Sequence, residues 1–215
     1  MSRADISRLC QAIQNKWLCC LPVCLLAILA ACWPDGLSYL SYDRAAIMKG
    51  EIWRGITAHL VHLNTPHLIL NLCGLLLIGE LIWGELPLKH GFGLLLFSGA
   101  TISTSLWWLQ PEVVSYVGLS GALHGLWAGC TLFGLSNIAN ASLRERLTYL
   151  VGAILLLIKL LMEFYYGPSE ITENLIGGSV LTAAHLYGGV AGAVYVLVLC
   201  CVRMLNLSRG ALQQK

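Results

Sequence analysis

Six long apolar runs, joined by stretches that hold nearly all the charge, account for most of the chain. The first, Trp17–Trp33, is uncharged and has tryptophan at both ends, as interface-anchored spans often do. A second opens near His67 and runs past Gly79, with Glu80 and Glu85 toward its far end. Gly91–Leu109, Val113–Leu135 and Leu147–Tyr166 are the third, fourth and fifth, and the sixth lies within the uncharged stretch Leu175–Val202. Runs of this length match the ~20 helical residues that cross a bilayer core. The pattern predicts an all-α polytopic membrane protein, a bundle of six transmembrane helices. Its membrane domain occupies 17–205, with a polar segment at 1–16 and a short tail at 206–215. A signal peptide is the competing reading of the first run. Pro22, the two tryptophans and the bulky exit Cys32-Trp33-Pro34 offer no small-residue cleavage site, so the run is read as a retained helix. The connection from Pro34 to Pro66 is too apolar for a solvated loop and is expected to lie in the membrane interface.

Composition agrees with this class. Of the 215 residues 57% are hydrophobic, the mean hydropathy is +0.73, and only 11% are charged against about 25% in soluble domains. A net charge of +2 with no basic cluster excludes nucleic acid as a partner. The nine cysteines form no C-x-x-C pair, and Cys19/Cys20 and Cys200/Cys201 sit inside apolar runs, as small helix-packing residues. Cations set the orientation. Arg3, Arg8, Lys16, Lys89, Arg144, Arg146, Arg203, Arg209 and Lys215 fall on the side of the termini, against Arg44, Lys49 and Arg54 opposite, so both termini are expected in the cytoplasm.

That orientation starts spans two, four and six on the extracytoplasmic side. His67 and Asn71, Ser120, and His185 then converge at similar shallow depth from three helices, where polar side chains usually face the bundle interior. Gly121, Gly125 and Gly129 recur every fourth residue behind Ser120, and Ala184, Gly188 and Gly192 do so around His185. Two such small-residue faces let helix backbones approach closely. Close approach is what a base needs to come within about 3 Å of a nucleophile. Each feature has a plainer reading: a serine in a glycine packing face, a core histidine on a backbone carbonyl, an amide and an imidazole bonding between helices. His59, His62 and His67 also cluster, but no cysteine or carboxylate follows at ligand spacing, so no metal is expected. Asp5, Asp35 and Asp43 all lie outside the spans. A hydrolase built here would use a Ser–His dyad without aspartate.

The ordered motifs resemble the rhomboid intramembrane serine proteases. They are Glu51-Ile52-Trp53-Arg54, then His62, then His67-x-x-x-Asn71, Gly118-x-Ser120-Gly121, and Ala184-His185-x-x-Gly188-x-x-x-Gly192. The resemblance runs from the end of span one through span six. It implies Ser120 as nucleophile, His185 as general base and then acid, and the Ser120 N–H with His67 and Asn71 as oxyanion donors. Gly118, Gly121 and Gly188 would support them. It further implies a first loop, with Trp53-Arg54, embedded in the outer leaflet, and substrate access from lipid beside span five. A bare six-span core and the run Gly-Leu-Ser-Gly-Ala-Leu-His-Gly are similar to the rhombosortase branch of bacterial rhomboids. The expected substrates are then membrane-anchored proteins with a Gly-Gly motif before a C-terminal apolar helix and basic residues. The enzyme would work at the periplasmic face of a bacterial inner membrane, without cofactor or metal. Rhomboids often stack the catalytic imidazole on an aromatic residue four positions after the nucleophile; here that position is His124, expected to stack on or hydrogen-bond His185. Lys159 in span five is expected to pair with Glu163. A transporter or a proteolytically silent rhomboid-like binding protein is the competing class. Against it stand the shallow polar cluster, the lack of an internal repeat, and the presence of both serine and histidine.

Overall fold

The computed structural model describes residues 20–83 and 86–213. The 1–16 segment, Trp17 at the head of the first run, and Glu85 lie outside the described residues. The long helices are α1 (Cys20–Cys32), α5 (Thr65–Leu81), α6 (Leu88–Leu109), α7 (Ser120–Ser136), α8 (Leu143–Tyr166) and α10 (Thr182–Gln213). Short helices α2 (Gly36–Leu40), α3 (Arg44–Met48) and α4 (Arg54–Thr57) break up the first connection, and α9 (Glu170–Ile176) follows α8. Among the described residues strand is confined to β1 (Tyr42–Asp43) and β2 (Ser115–Tyr116), which fits an all-α membrane protein. Among the described residues, three helices are long and apolar enough to cross a membrane: α6, α8 and α10 over Thr182–Asn206; α1 and α5 are shorter apolar helices.

α7 is the axis. Twelve of its seventeen residues are buried, so its surface meets protein rather than lipid and can be built from glycine, alanine and serine. A Cβ at Gly188 would overlap the carbonyl oxygen of Gly121, and one at Gly192 would overlap that of Gly125. The two small-residue faces are therefore in backbone contact, the close helix crossing that such faces permit. Gly129 departs from the expected face. It turns to α6, where a Cβ would collide with the Leu94 side chain.

The fourth helix starts at Ser120 and not at Val113. Ser115–Tyr116 pairs antiparallel with Tyr42–Asp43, and Gly118 adopts φ +115°, a left-handed conformation that ends any helical run. Apolarity alone could not reveal this, because a buried strand and a helix turn both read as apolar. The sixth run is likewise divided, since Gly177 at φ +68° caps α9 before α10 begins.

The first connection is a built scaffold. Asp43 caps α3 and Asn64 caps α5, the latter accepting from the His67 N–H at 2.8 Å. Arg44 donates to the carbonyls of Leu106, Trp107, Gln110 and Val113 at 2.7–3.2 Å, satisfying the end of α6. Arg54, 6% exposed, pairs with Glu51 at 2.7 Å and donates to the carbonyls of Ser38 and Ser41. His59 Nε2 bonds the Gly99 carbonyl at 3.0 Å and so fixes the connection to α6. Met48, Ile52 and Trp53 remain exposed on it.

The crossing makes a prediction with an internal control. Gly188→Ala forces a methyl group into backbone, whereas Gly189→Ala meets only the tip of Leu160 at 3.3 Å. Overpacking of the first kind costs about 1–3 kcal/mol. Thermal unfolding in detergent should show a clear drop in midpoint for Gly188→Ala and little for Gly189→Ala. Equal midpoints would contradict the packing account.

Candidate active site

Three helix N-termini and one C-terminus meet at one end of the bundle. His67 stands in the first turn of α5, Ser120 is the first residue of α7, His185 is in the first turn of α10, and Glu163 is in the last turn of α8. Ser120 is presented there because Gly118 turns the chain sharply just before the helix. The Gly118 N–H donates to the Ala58 carbonyl at 2.9 Å, and its own carbonyl accepts from the buried Tyr116 hydroxyl at 3.0 Å. Burial pushes the Tyr116 phenol up, keeping it a donor.

Ser120 Oγ lies 3.0 Å from His185 Nε2. The crossing sets this distance: Ala184, beside His185, brings its carbonyl against Gly121, where a Cβ would come within 3.0 Å of it. His185 is 5% exposed, and its other ring nitrogen, Nδ1, lies 2.8 Å from the Glu163 carboxylate. Glu163 is also bonded to Lys159 Nζ at 2.5 Å, the pairing expected within span five. The contact from Glu163 to His185 joins two helices far apart in the chain, and a dyad judged by the positions of aspartate alone does not include it. An acidic residue within an apolar span is itself the signal, since such groups are costly there and seldom idle.

His124 lies flat on the His185 ring, with centroids 4.1 Å apart and planes at 14°. Its Nδ1 donates to the Ser120 carbonyl at 2.8 Å, while its Nε2 is buried without a hydrogen-bond partner. His124 thus packs on the face of the His185 ring, and the Nδ1 edge belongs to Glu163. Of the two alternatives expected for His124, stacking is the one observed.

His67 and Asn71 line the same cavity as Ser120 and His185, about 770 Å³ in volume and mostly apolar. The Leu63 N–H donates to His67 Nδ1 at 3.4 Å, which leaves Nε2 carrying the ring proton. That edge lies against Gly118, where a Cβ would stand 2.8 Å from it, so glycine at 118 makes room for the imidazole. Asn71 donates to the His67 carbonyl at 3.0 Å with one amide hydrogen and keeps the other. His62 packs edge-on against His67 at 4.9 Å. Burial pushes His62 down to about 3, so it stays neutral beside the site. Together these groups form a serine–imidazole pair with uncharged N–H donors facing a shared apolar cavity, the set that acyl transfer requires.

The histidine cluster of the first connection does not converge on a metal position. Among the described residues, the one group of three potential ligands within 4.8 Å is His124, Glu163 and His185. There an ammonium already sits on the carboxylate and both His185 nitrogens are hydrogen-bonded.

Comparison with known proteins agrees with the geometry. The rhomboid domain family matches residues 49–202, which include the site residues from Glu51 to Gly192. Rhomboid-like protein 11, chloroplastic, of Arabidopsis thaliana is 31% identical over 151 residues, covering 67% of this chain and 51% of that protein. The chain thus spans about half the length of the curated relative it matches. With its motifs in order along that domain, the chain belongs to the rhomboid family, whose members are generally serine proteases acting on membrane-embedded substrates.

Proposed function

We propose that this chain is an intramembrane serine endopeptidase of six spans, with both termini cytoplasmic and its site opening to the extracytoplasmic side. The carrying observation is the 3.0 Å approach of Ser120 Oγ to His185 Nε2 in a cavity that His67 and Asn71 also line. Ser120 Oγ attacks the scissile carbonyl as its proton passes to His185 Nε2. The negative oxygen is held by the Ser120 N–H, His67 Nε2–H and the free amide hydrogen of Asn71. The Ser120 N–H heads α7 and has no intrahelical partner, as at any helix start. His185 then protonates the leaving amine, and water repeats the sequence on the acyl-enzyme.

The substrates are membrane-anchored proteins, cut near the extracytoplasmic face of a bacterial inner membrane. The rhombosortase-like run from Gly118 to Gly125 supports removal of C-terminal transmembrane tails that follow a Gly-Gly motif. Glycine there also suits the mechanism, because a helical segment must unwind before its carbonyl can be reached. The orientation is supported by the fates of Arg44 and Arg54, which are bound to backbone carbonyls. They are not the free cations that hold a loop in the cytoplasm.

Ser120→Ala and His185→Ala should each reduce cleavage of a membrane-anchored reporter with a Gly-Gly motif to below about 10⁻⁴ of the wild-type rate, because members of one catalytic unit fail together. Either variant retaining a substantial fraction of turnover would reassign the site. His124→Phe keeps a flat ring on His185, and ring stacking is worth about 0.5–1.5 kcal/mol. It should lose no more than about tenfold in kcat, while His185→Tyr is inactive. The reverse ranking would transfer the base to His124.

A further inference from the structure

We propose that Glu163 is the positioning residue of the site, converting the Ser120–His185 pair into a Ser–His–Glu triad with Lys159 as the carboxylate's counter-ion. The inference rests on the protease reading above and adds a residue that neither the motifs nor the family match assigns.

The argument begins with the proton on His185. An ionised carboxylate can only accept hydrogen bonds. With Glu163 Oε2 at 2.8 Å from Nδ1, the ring proton must sit on Nδ1, which leaves the Nε2 lone pair aimed at Ser120 Oγ at 3.0 Å. This is the tautomer that can take the serine proton. A protonated Glu163 would instead donate to Nδ1 and force the proton onto Nε2, where it would block the reaction. Lys159 works against that state by holding the other carboxylate oxygen, Oε1, at 2.5 Å.

A simpler role, as a partner for Lys159 alone, does not explain where Glu163 lies. The Lys159 side chain is 42% exposed and the Glu163 side chain 6%. A lysine that reaches the surface can be neutralised there, whereas burying a carboxylate is costly unless its oxygens are bonded. Lysine four residues before glutamate is also the weaker order for a helical pair. His185 supplies the reason for burial. Lys159 in turn supplies the charge balance, so the pair is neutral until His185 takes its proton.

The other groups around the ring leave this edge to Glu163. From α7, Ser120 holds Nε2 and His124 covers the face, its Nδ1 spent on the Ser120 carbonyl. From α5, His67 borders the same cavity, and from α8 Glu163 bonds Nδ1 while Lys159 bonds that carboxylate. During acylation the positive charge on His185 lies between the carboxylate and the developing oxyanion, and both stabilise it.

The test is steady-state cleavage of the Gly-Gly-tail reporter in native membranes by wild type, Glu163→Gln and Glu163→Asp. A carboxamide can turn its NH2 toward Nδ1 and impose the wrong tautomer, a change worth up to about 10⁴ in kcat in the aspartate triad. Glu163→Gln should therefore lose at least about 10²-fold in kcat with KM within about threefold. Glu163→Asp, which keeps an ionised acceptor, should recover at least about tenfold over it. If Glu163→Gln fails to accumulate, Lys159→Met/Glu163→Gln removes the pair as a unit and should show the same kcat loss. A kcat within about threefold of wild type in Glu163→Gln or in Lys159→Met/Glu163→Gln would overturn the proposal. So would a loss accompanied by raised KM and a lowered thermal midpoint that aspartate does not relieve. An inactive wild type would sink the protease reading as well; an active wild type matched by Glu163→Gln would sink the triad alone.

Discussion

Backbone contact between α7 and α10 is the constraint on which the rest of the molecule depends. Gly188 against the Gly121 carbonyl and Gly192 against the Gly125 carbonyl leave no space for a single methyl group. That separation lets His185 on one helix bond Ser120 on the other at 3.0 Å. In hydrocarbon the gain comes from dispersion between close surfaces, because lipid tails are as apolar as the side chains given up. Glycine costs about 1 kcal/mol per residue in a soluble helix. Here each glycine is placed where the second backbone passes, and α7 can carry them because protein encloses it.

Around this crossing, the outer elements fix the orientation of the reacting groups. The β1–β2 pairing and the Gly118 N–H bond to Ala58 tie the first connection to the residues just ahead of Ser120. Arg44 finishes α6 and His59 pins the connection to it, so the scaffold spans from α6 to the start of α7. Gly118 serves two ends at once. Its positive φ turns the chain into α7, and its missing side chain admits the His67 ring close to the start of that helix.

Much of this is legible in the sequence, because lipid and close packing impose periodic demands. Four of the six apolar runs hold a long helix close to the expected bounds, and the small-residue faces at Gly121/Gly125 and Gly188/Gly192 do meet. What escaped the pattern has local causes. Val113–Leu119 reads as apolar as the helix after it, yet Ser115–Tyr116 within it pairs with β1, a choice made by a distant strand. Gly129 shares the spacing of Gly121 and Gly125 but faces Leu94, since a helix crossing diverges along its length. Within the first connection α3 follows a cap at Asp43, and α5 after it follows one at Asn64, signals that hydropathy does not register. Glu163 was visible as a buried-span carboxylate, and only the approach of α8 to α10 shows that it reaches His185.

The arrangement places the Ser120 hydroxyl at the end of a bundle, against His185 and facing a mostly apolar cavity. Its central claim is that Ser120 is activated by its surroundings, unlike the other serines of the chain. Intact wild-type protein treated with a fluorophosphonate in detergent, digested and read by tandem mass spectrometry tests this most directly. The account predicts a single phosphonylated residue, Ser120, formed only while the protein is folded. Failure of folded protein to form an adduct at Ser120, or labelling at another serine in its place, would contradict it.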